Sequence, residues 1–375
     1  MVAINGLLFD TMRDYLIFSS MTTPKTLNVL IVGCGNMGAS HAKAYEQHPG
    51  YQICGLVSRG KSKELLNAEL QGDYQCFDDY ADALAQSKPD VVCISTYPET
   101  HEPFTLMALE EGCHVFLEKP IATTVEGGRR IIEAAILAKK KVVVGYILRH
   151  HIIWKRFIEE AQKMGKPLVM RMNLNQQSQG YMWDVHRSLM NSLSPIVDCG
   201  VHYLDVMCQM TQAKPISVSA IGARLTDDIP ADNYNYGQLQ IRFDDGSVGW
   251  YEAGWGPMVS ETAFFVKDVF GPKGSVSLTQ DQQRSDCVDG HSKADLMLIH
   301  HADIDSNNTF LKKDEYIRFE HSPEHQELCD NEQAFLYEAI IEDRDLSSHL
   351  NDAITSLQIA LACDQSVKEE RTILL

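Results

Sequence analysis

Cations are scarce in this chain of 375 residues: 33 lysines and arginines stand against 51 acids, a net charge of −18. That balance opposes nucleic acid or an anionic membrane as partner, because either favours a basic face. Paired cysteines are also missing. The ten cysteines stand apart with no C-x-x-C pair, and Cys54, Cys93 and Cys113 fall in stretches that read as core. This excludes a disulfide framework and a zinc knuckle, and it favours reduced, buried thiols in a cytoplasm. Asn307-Asn308-Thr309 is then a chance glycosylation sequon. No apolar run approaches the roughly 18 residues of a membrane-spanning helix. Repeats and low-complexity tracts are absent. The remainder, 44% hydrophobic and 22% charged, is the composition of an ordinary soluble globular protein, long enough for two domains with full cores.

Residues 1–20 have no basic start and no small-residue cleavage site, so they make a poor secretory signal. Met21 precedes a polar lead-in, Thr22-Thr23-Pro24-Lys25, to the first apolar run. Translation from Met21 and a dispensable 1–20 segment are the expectation.

The run Leu27-Asn-Val-Leu-Ile-Val32 has strand length and leads directly into Gly33-Cys34-Gly35-Asn36-Met37-Gly38 and a helix-like stretch. A G-x-G-x-x-G between strand and helix is a dinucleotide fingerprint. Gly33 serves the tight turn, Gly35 the approach of a pyrophosphate, and Gly38 the packing of helix on strand. The helix start offers free N–H groups to phosphates. Downstream, buried-strand patterns at 51–57, 90–95, 114–117 and 141–144 alternate with helix-like stretches at 62–70, 80–87, 102–111 and 125–139. That alternation predicts a doubly wound parallel sheet, with ligands beyond the carboxyl ends of its strands. Thr96-Tyr97-Pro98 and Glu118-Lys119-Pro120 fall at such ends.

Past residue 146 the pattern changes. A helix-like segment, 152–163, precedes strand candidates at 168–174, 216–221, 238–243, 248–252, 264–270 and 275–278, with Asp244-Asp245-Gly246 as a hairpin signal. These predict a largely antiparallel sheet, with a helix over 198–210 as cover for one face. The 279–309 stretch reads as a polar, irregular excursion, and two helices, 327–342 and 352–368, close the chain. The expected division is an extension over 1–24, a dinucleotide-binding domain over 25–147 and a substrate and oligomerisation domain over 148–375.

In Asp198-Cys-Gly-Val-His202-Tyr-Leu-Asp205, Asp198 and His202 are four apart and share a helix face. A carboxylate set against an imidazole is a pairing suited to proton transfer. A metal site built from Asp198, His202 and His186 lacks any reinforcing spacing, so none is expected.

Taken in order, Gly33–Gly38, Thr96-Tyr97-Pro98-Glu99-Thr100-His101, Glu118-Lys119-Pro120 and Asp198–Asp205 resemble the glucose–fructose oxidoreductase, inositol dehydrogenase and rhizopine-catabolism (Gfo/Idh/MocA) family. The resemblance covers about residue 26 to the end. It implies α/β architecture, with an N-terminal Rossmann domain and a C-terminal α/β domain built on an open, largely antiparallel sheet, and homo-oligomers formed through that sheet. It also implies hydride transfer between a nicotinamide and a secondary alcohol or ketone of a sugar or cyclitol. Residue by residue it places Gly33, Gly35, Asn36, Met37 and Gly38 around the pyrophosphate, Thr96, Pro98 and His101 on the adenine and ribose side, and Glu118 at the nicotinamide ribose. Lys119, Asp198 and His202 match the catalytic trio.

The chemistry fits these types. His202 can take the hydroxyl proton near neutrality, and Lys119 can stabilise a developing alkoxide. The chain departs from the family just before the Asp motif, where Asn191-Ser-Leu-Ser-Pro195 replaces small glycines, so the substrate is left open. Trp183, His186 and Arg187 offer groups suited to a polyol, and Tyr146, Arg149 and His150 are further candidates. At the end of the second strand Ser58 and Arg59 stand where an acid would bind the 2′-hydroxyl of NAD, which favours NADP. The alternatives are a glycoside hydrolase of the same fold using bound NAD, and a non-catalytic NAD(P)-binding regulator.

Overall fold

The computed structural model describes residues 25–260, 265–279 and 293–375. The expectations for residues 1–24 lie outside them.

The first sheet is assembled from an unbroken alternation. It comprises β1 (Leu27–Val32), α1 (Asn36–Gln47), β2 (Tyr51–Val57), α2 (Ser62–Glu69), β3 (Cys76–Phe77), α3 (Tyr80–Ser87), β4 (Val91–Ile94), α4 (His101–Glu110), β5 (His114–Leu117), α5 (Val125–Ala138) and β6 (Val142–Val144). Val29, Val91, Val92, Val115 and Val143 are fully buried, as parallel strands covered on both faces require. The helix starts have local causes: Asp79 accepts the N–H of Asp82, and Thr124 accepts that of Gly127. All pairs are parallel, in the order β3-β2-β1-β4-β5-β6. The order reverses between β1 and β4, which opens a crevice beyond their carboxyl ends.

The rest of the chain forms a nine-stranded sheet with its helices. These are α6 (Ile152–Lys163), β7 (Val169–Gln177), α7 (Gly180–Leu189), a π-helical turn (Ile196–Gly200) running into α8 (Val201–Thr211), β8 (Pro215–Ala223), β9 (Tyr236–Phe243), β10 (Val248–Gly256), β11 (Lys267–Gly271), β12 (Gly274–Thr279), β13 (Leu296–His301), β14 (Glu315–Arg318), α9 (His325–Ile341), α10 (Ser347–Glu369) and β15 (Ile373–Leu374). The strand order is β14-β13-β12-β11-β7-β10-β9-β8-β15, antiparallel except where β7 meets β10. One face packs on α6, α8 and α10. On the opposite face Val169, Val248 and Phe270 lie side by side and exposed.

Four readings change. Residues 296–301 are not irregular: they form β13, paired along its length with β12. Residues 180–189 form α7, which was not anticipated. Asp198 lies in a π-helical turn, so its spacing to His202 spans a widened turn joined to a regular one. Finally, α9 returns to the first sheet. Its Leu336 and Ala339 join the core of Leu27, Val29, Ile31 and Tyr45. No helix among the described residues is long and apolar enough to cross a membrane.

Candidate active site

Four loops at the carboxyl ends of β1, β2, β4 and β5 carry the fingerprint, Ser58-Arg59, Thr96–His101 and Glu118–Pro120. In the first, Gly33 has φ +94, and a Cβ there would lie 2.3 Å from the Ser95 carbonyl. A Cβ on Gly38 would lie 1.8 Å from the Gly33 carbonyl, so only hydrogen fits. Gly35 is different: a Cβ there would meet nothing within 4 Å. Its openness is the cradle an approaching pyrophosphate needs. Gly35 is also the N-cap of α1, with no side chain capping it and no acid in the first turn. The amides of Asn36, Met37 and Gly38 thus begin a helix suited to an anion.

At β2, the hydroxyl of Ser58 meets that of Ser62 at 2.6 Å. Lys63 turns back onto the Gly60 carbonyl and Asp78, both at 2.7 Å. Arg59 is exposed and makes no ion pair among the described residues. At β4, Pro98 is buried, and Thr96 shares a 2.6 Å hydroxyl contact with Thr100. His101 is wholly buried. Its Nδ1 lies 2.7 Å from the Pro120 carbonyl and its Nε2 3.1 Å from that of Thr96. It therefore ties the two loops together from behind, where the sequence reading had it lining the adenine side.

At β5, Lys119 reaches across to the second domain. Its Nζ donates to Asp198 Oδ1 at 3.0 Å and to the Asp198 carbonyl at 3.1 Å. Both side chains stay accessible, at 18% and 16%. Burial works against the lysine charge, but Asp198, Cys199 and Glu118 outweigh it, and the pKa of Lys119 is raised. Burial likewise works against the Asp198 carboxylate, and the Lys119 charge overcomes it, so its pKa is lowered. Lys119 is thus a cation across the neutral range. The sequence reading set Asp198 against His202, whereas the observed ion pair is with Lys119, 79 residues away. His202 is half-buried one turn on. Its ring meets that of Tyr146 edge-on at 5.9 Å.

The remaining candidates separate. His186 packs flat on Trp255 with centroids 4.3 Å apart; burial lowers its pKa to about 4, with Asp198 pulling the other way. Trp183 and Arg187 share α7 with it, the guanidinium 5.9 Å from the indole centroid. Tyr146 and Arg149 turn inward. Tyr146 is buried with its hydroxyl 2.6 Å from that of Ser356. Arg149 is committed to Asp205, Asp352 and His349. His150 meets Phe335 at a tilt, with centroids 5.2 Å apart. The polar ends of Tyr146 and Arg149 are thus committed to α8 and α10.

The sequence reading missed Gln176, His41 and Gln333. Gln176 Oε1 accepts Trp255 Nε1 at 2.8 Å and Cys199 Sγ at 3.5 Å, beside Asp198. His41 hydrogen-bonds Glu118 at 2.7 Å. A histidine on the apolar face of α1 was the available signal for His41. Its partner is 77 residues distant, and no local pattern points to it.

Comparison with known proteins agrees with this layout. Residues 27–146 match the GFO/IDH/MocA model described as an oxidoreductase family with an NAD-binding Rossmann fold, and residues 155–277 match the GFO/IDH/MocA C-terminal domain. An inositol 2-dehydrogenase of Paracoccus denitrificans is 31% identical over 39% of this chain and 44% of its own length. A second, from Klebsiella pneumoniae, is 28% identical over 48% and 53%. The chain thus spans about half the length of these curated relatives. A D-glucoside 3-dehydrogenase of Escherichia coli is 23% identical over 86% and 95%. Among solved structures, an aldose-aldose oxidoreductase from Caulobacter crescentus, complexed with glycerol, superposes with a TM-score of 0.74 at 20% identity, covering 94% of this chain and 100% of that one. At that identity the likeness speaks for the fold.

Proposed function

The chain belongs to the GFO/IDH/MocA oxidoreductase family, and on that premise we propose that it is an NAD(P)-dependent dehydrogenase or reductase acting on a secondary alcohol or ketone of a sugar, sugar derivative or cyclitol. The observation that carries the reading is the Lys119–Asp198 ion pair, 3.0 Å long and still partly accessible, one turn from His202. The residues fit a dinucleotide: the α1 amides for its pyrophosphate, Glu118 for its nicotinamide ribose. When bound, the nicotinamide supplies hydride exchange with the alcohol carbon. The protein supplies the proton chemistry. Lys119 is held as a cation, so it can stabilise an alkoxide but has no lone pair to take a proton. That leaves His202 as the base, and Asp198 holds Lys119 in place while its Oδ2, which accepts the Cys199 thiol at 3.3 Å, keeps a second lone pair for a hydroxyl. Relatives named for inositol and glucosides support a polyol substrate. We expect His202→Ala and Lys119→Ala each to lower turnover about 100-fold or more, with cofactor affinity nearly unchanged, followed by absorbance of the reduced nicotinamide against a polyol panel. Near-normal turnover in either variant removes that residue from the mechanism.

The same reading favours NADP(H). No acid follows β2, and Arg59 is exposed and uncommitted among the described residues, while a guanidinium can grip a phosphate in two places. Arg59→Asp should lose NADP(H) binding and keep NAD(H) binding, a swing of about 1.5–3 kcal/mol. Fluorescence titration of both cofactors against both proteins decides it; an indifferent variant means the turn is merely solvated. The row of Val169, Val248 and Phe270 on the open sheet supports a homo-oligomer, which light scattering on the purified chain tests.

A further inference from the structure

Behind Glu118 lies a hydrogen-bonded line that the chemistry above does not use. Glu118 is 6% exposed. Burial opposes its charge, but the hydrogen bond from His41 and the nearby Lys119 cation outweigh it and bring its pKa down to about 2. It is therefore a carboxylate and can only accept. His41, fully buried on α1, must then donate through Nε2 across the 2.7 Å contact with Glu118 Oε1. Its other nitrogen, Nδ1, receives the amide of Gln333 at 3.0 Å. Gln333 is fully buried on α9, in the last fifth of the chain. By donating to Nδ1, Gln333 holds His41 in the neutral Nε2–H form that Glu118 requires.

The donor atoms of His41, Cys329 and Glu332 lie within 4.8 Å of one another. Both His41 nitrogens are already engaged, which makes this a proton-holding cluster and not a cation site.

We propose that Gln333 is a positioning residue of the cofactor site, acting through the tautomer of His41 to aim the Glu118 carboxylate. The inference rests on the reading that Glu118 meets the nicotinamide ribose. It makes α9 a working part of the nucleotide site, although no residue of that helix is at a strand end.

A double-mutant cycle on the full chain tests it. Gln333→Met keeps the volume and removes the donor. It should weaken NAD(P)(H) binding roughly tenfold while turnover at saturating cofactor stays within about twofold, a split that a loosened core would not give. In ¹⁵N spectra the His41 ring should lose its fixed Nε2–H form. In a Glu118→Gln background the same substitution should cost almost nothing further. Equal weakening in both backgrounds overturns the proposal and leaves the role of Glu118 standing. Unchanged cofactor binding in Glu118→Gln alone is a different result: it sinks the ribose assignment, and the proposal with it. Should the methionine variant not fold, Gln333→Leu also removes the donor, and the same weakening, absent in the Glu118→Gln background, is expected of it.

Discussion

Two glycines three residues apart answer to different masters. Gly38 is required by the fold, since its Cβ would lie 1.8 Å from the Gly33 carbonyl. A Cβ on Gly35 would meet no protein atom within 4 Å, and the backbone there is ordinary extended chain. Gly38→Ala should therefore lower the melting temperature and cofactor affinity together. Gly35→Ala should leave stability within about 1 kcal/mol and still weaken cofactor binding roughly tenfold or more, because the backbone can no longer approach the pyrophosphate. Thermal melting and cofactor titration of the two variants separate these cases, and a matched loss in both would mean that Gly35 has no ligand. Gly38 was legible because its constraint, the Gly33 carbonyl, lies within its own few neighbours. The pairing of Asp198 was not, since Lys119 is brought to it from the other sheet.

At the scale of elements, the clearest features were those whose burial follows a simple period. β1, α3 and α6 agree with expectation because strand apolarity, an Asp79 cap and a strongly one-sided helix all act locally. α7 escaped notice because Gly180–Leu189 has a single buried residue, His186, and so no stripe to read. β13 was hidden by its polar surroundings, although Met297 and Ile299 alternate inward. α9 was anticipated as a helix but not as a cover for α1, and it carries a buried acid, Glu332, at 1% exposure. Burial first, and the Glu118 charge second, push its pKa well above the glutamate value. The sign follows from linkage: below about pH 4.3, the unfolded value, both states hold the proton and Glu332 exacts nothing. As pH rises past that value the unfolded chain ionises while the folded one does not, so folding loses stability until the folded pKa is reached. Glu332→Gln removes this loss. Its melting temperature relative to the parent should climb with pH from about 4.3 upward; a constant offset would show that Glu332 ionises freely in the fold.

Across the whole molecule, α10 is the element that couples the two sheets. It touches α5 and β6 on one side and α8 and β8 on the other. Ile354 seats its Cδ1 where a Cβ on Gly128 would be, 2.4 Å away, so α5 and α10 come as close as a glycine allows. Ile354→Ala should cost about 2–4 kcal/mol and should shift one shared unfolding transition in calorimetry, where two resolved transitions would show that the halves melt independently. The return of α9 bears on how the chain is made. Its Leu336 and Ala339 close the core around Leu27, Val29 and Tyr45, and its Gln333 backs His41. Ribosomal synthesis delivers the six parallel strands first and this helix near the end. For most of translation the nascent nucleotide-binding half carries an uncovered apolar flank and an unsupported Glu118. It is a natural client for chaperones until α9 emerges, and a fragment cut at the apparent domain boundary would inherit the same defect permanently.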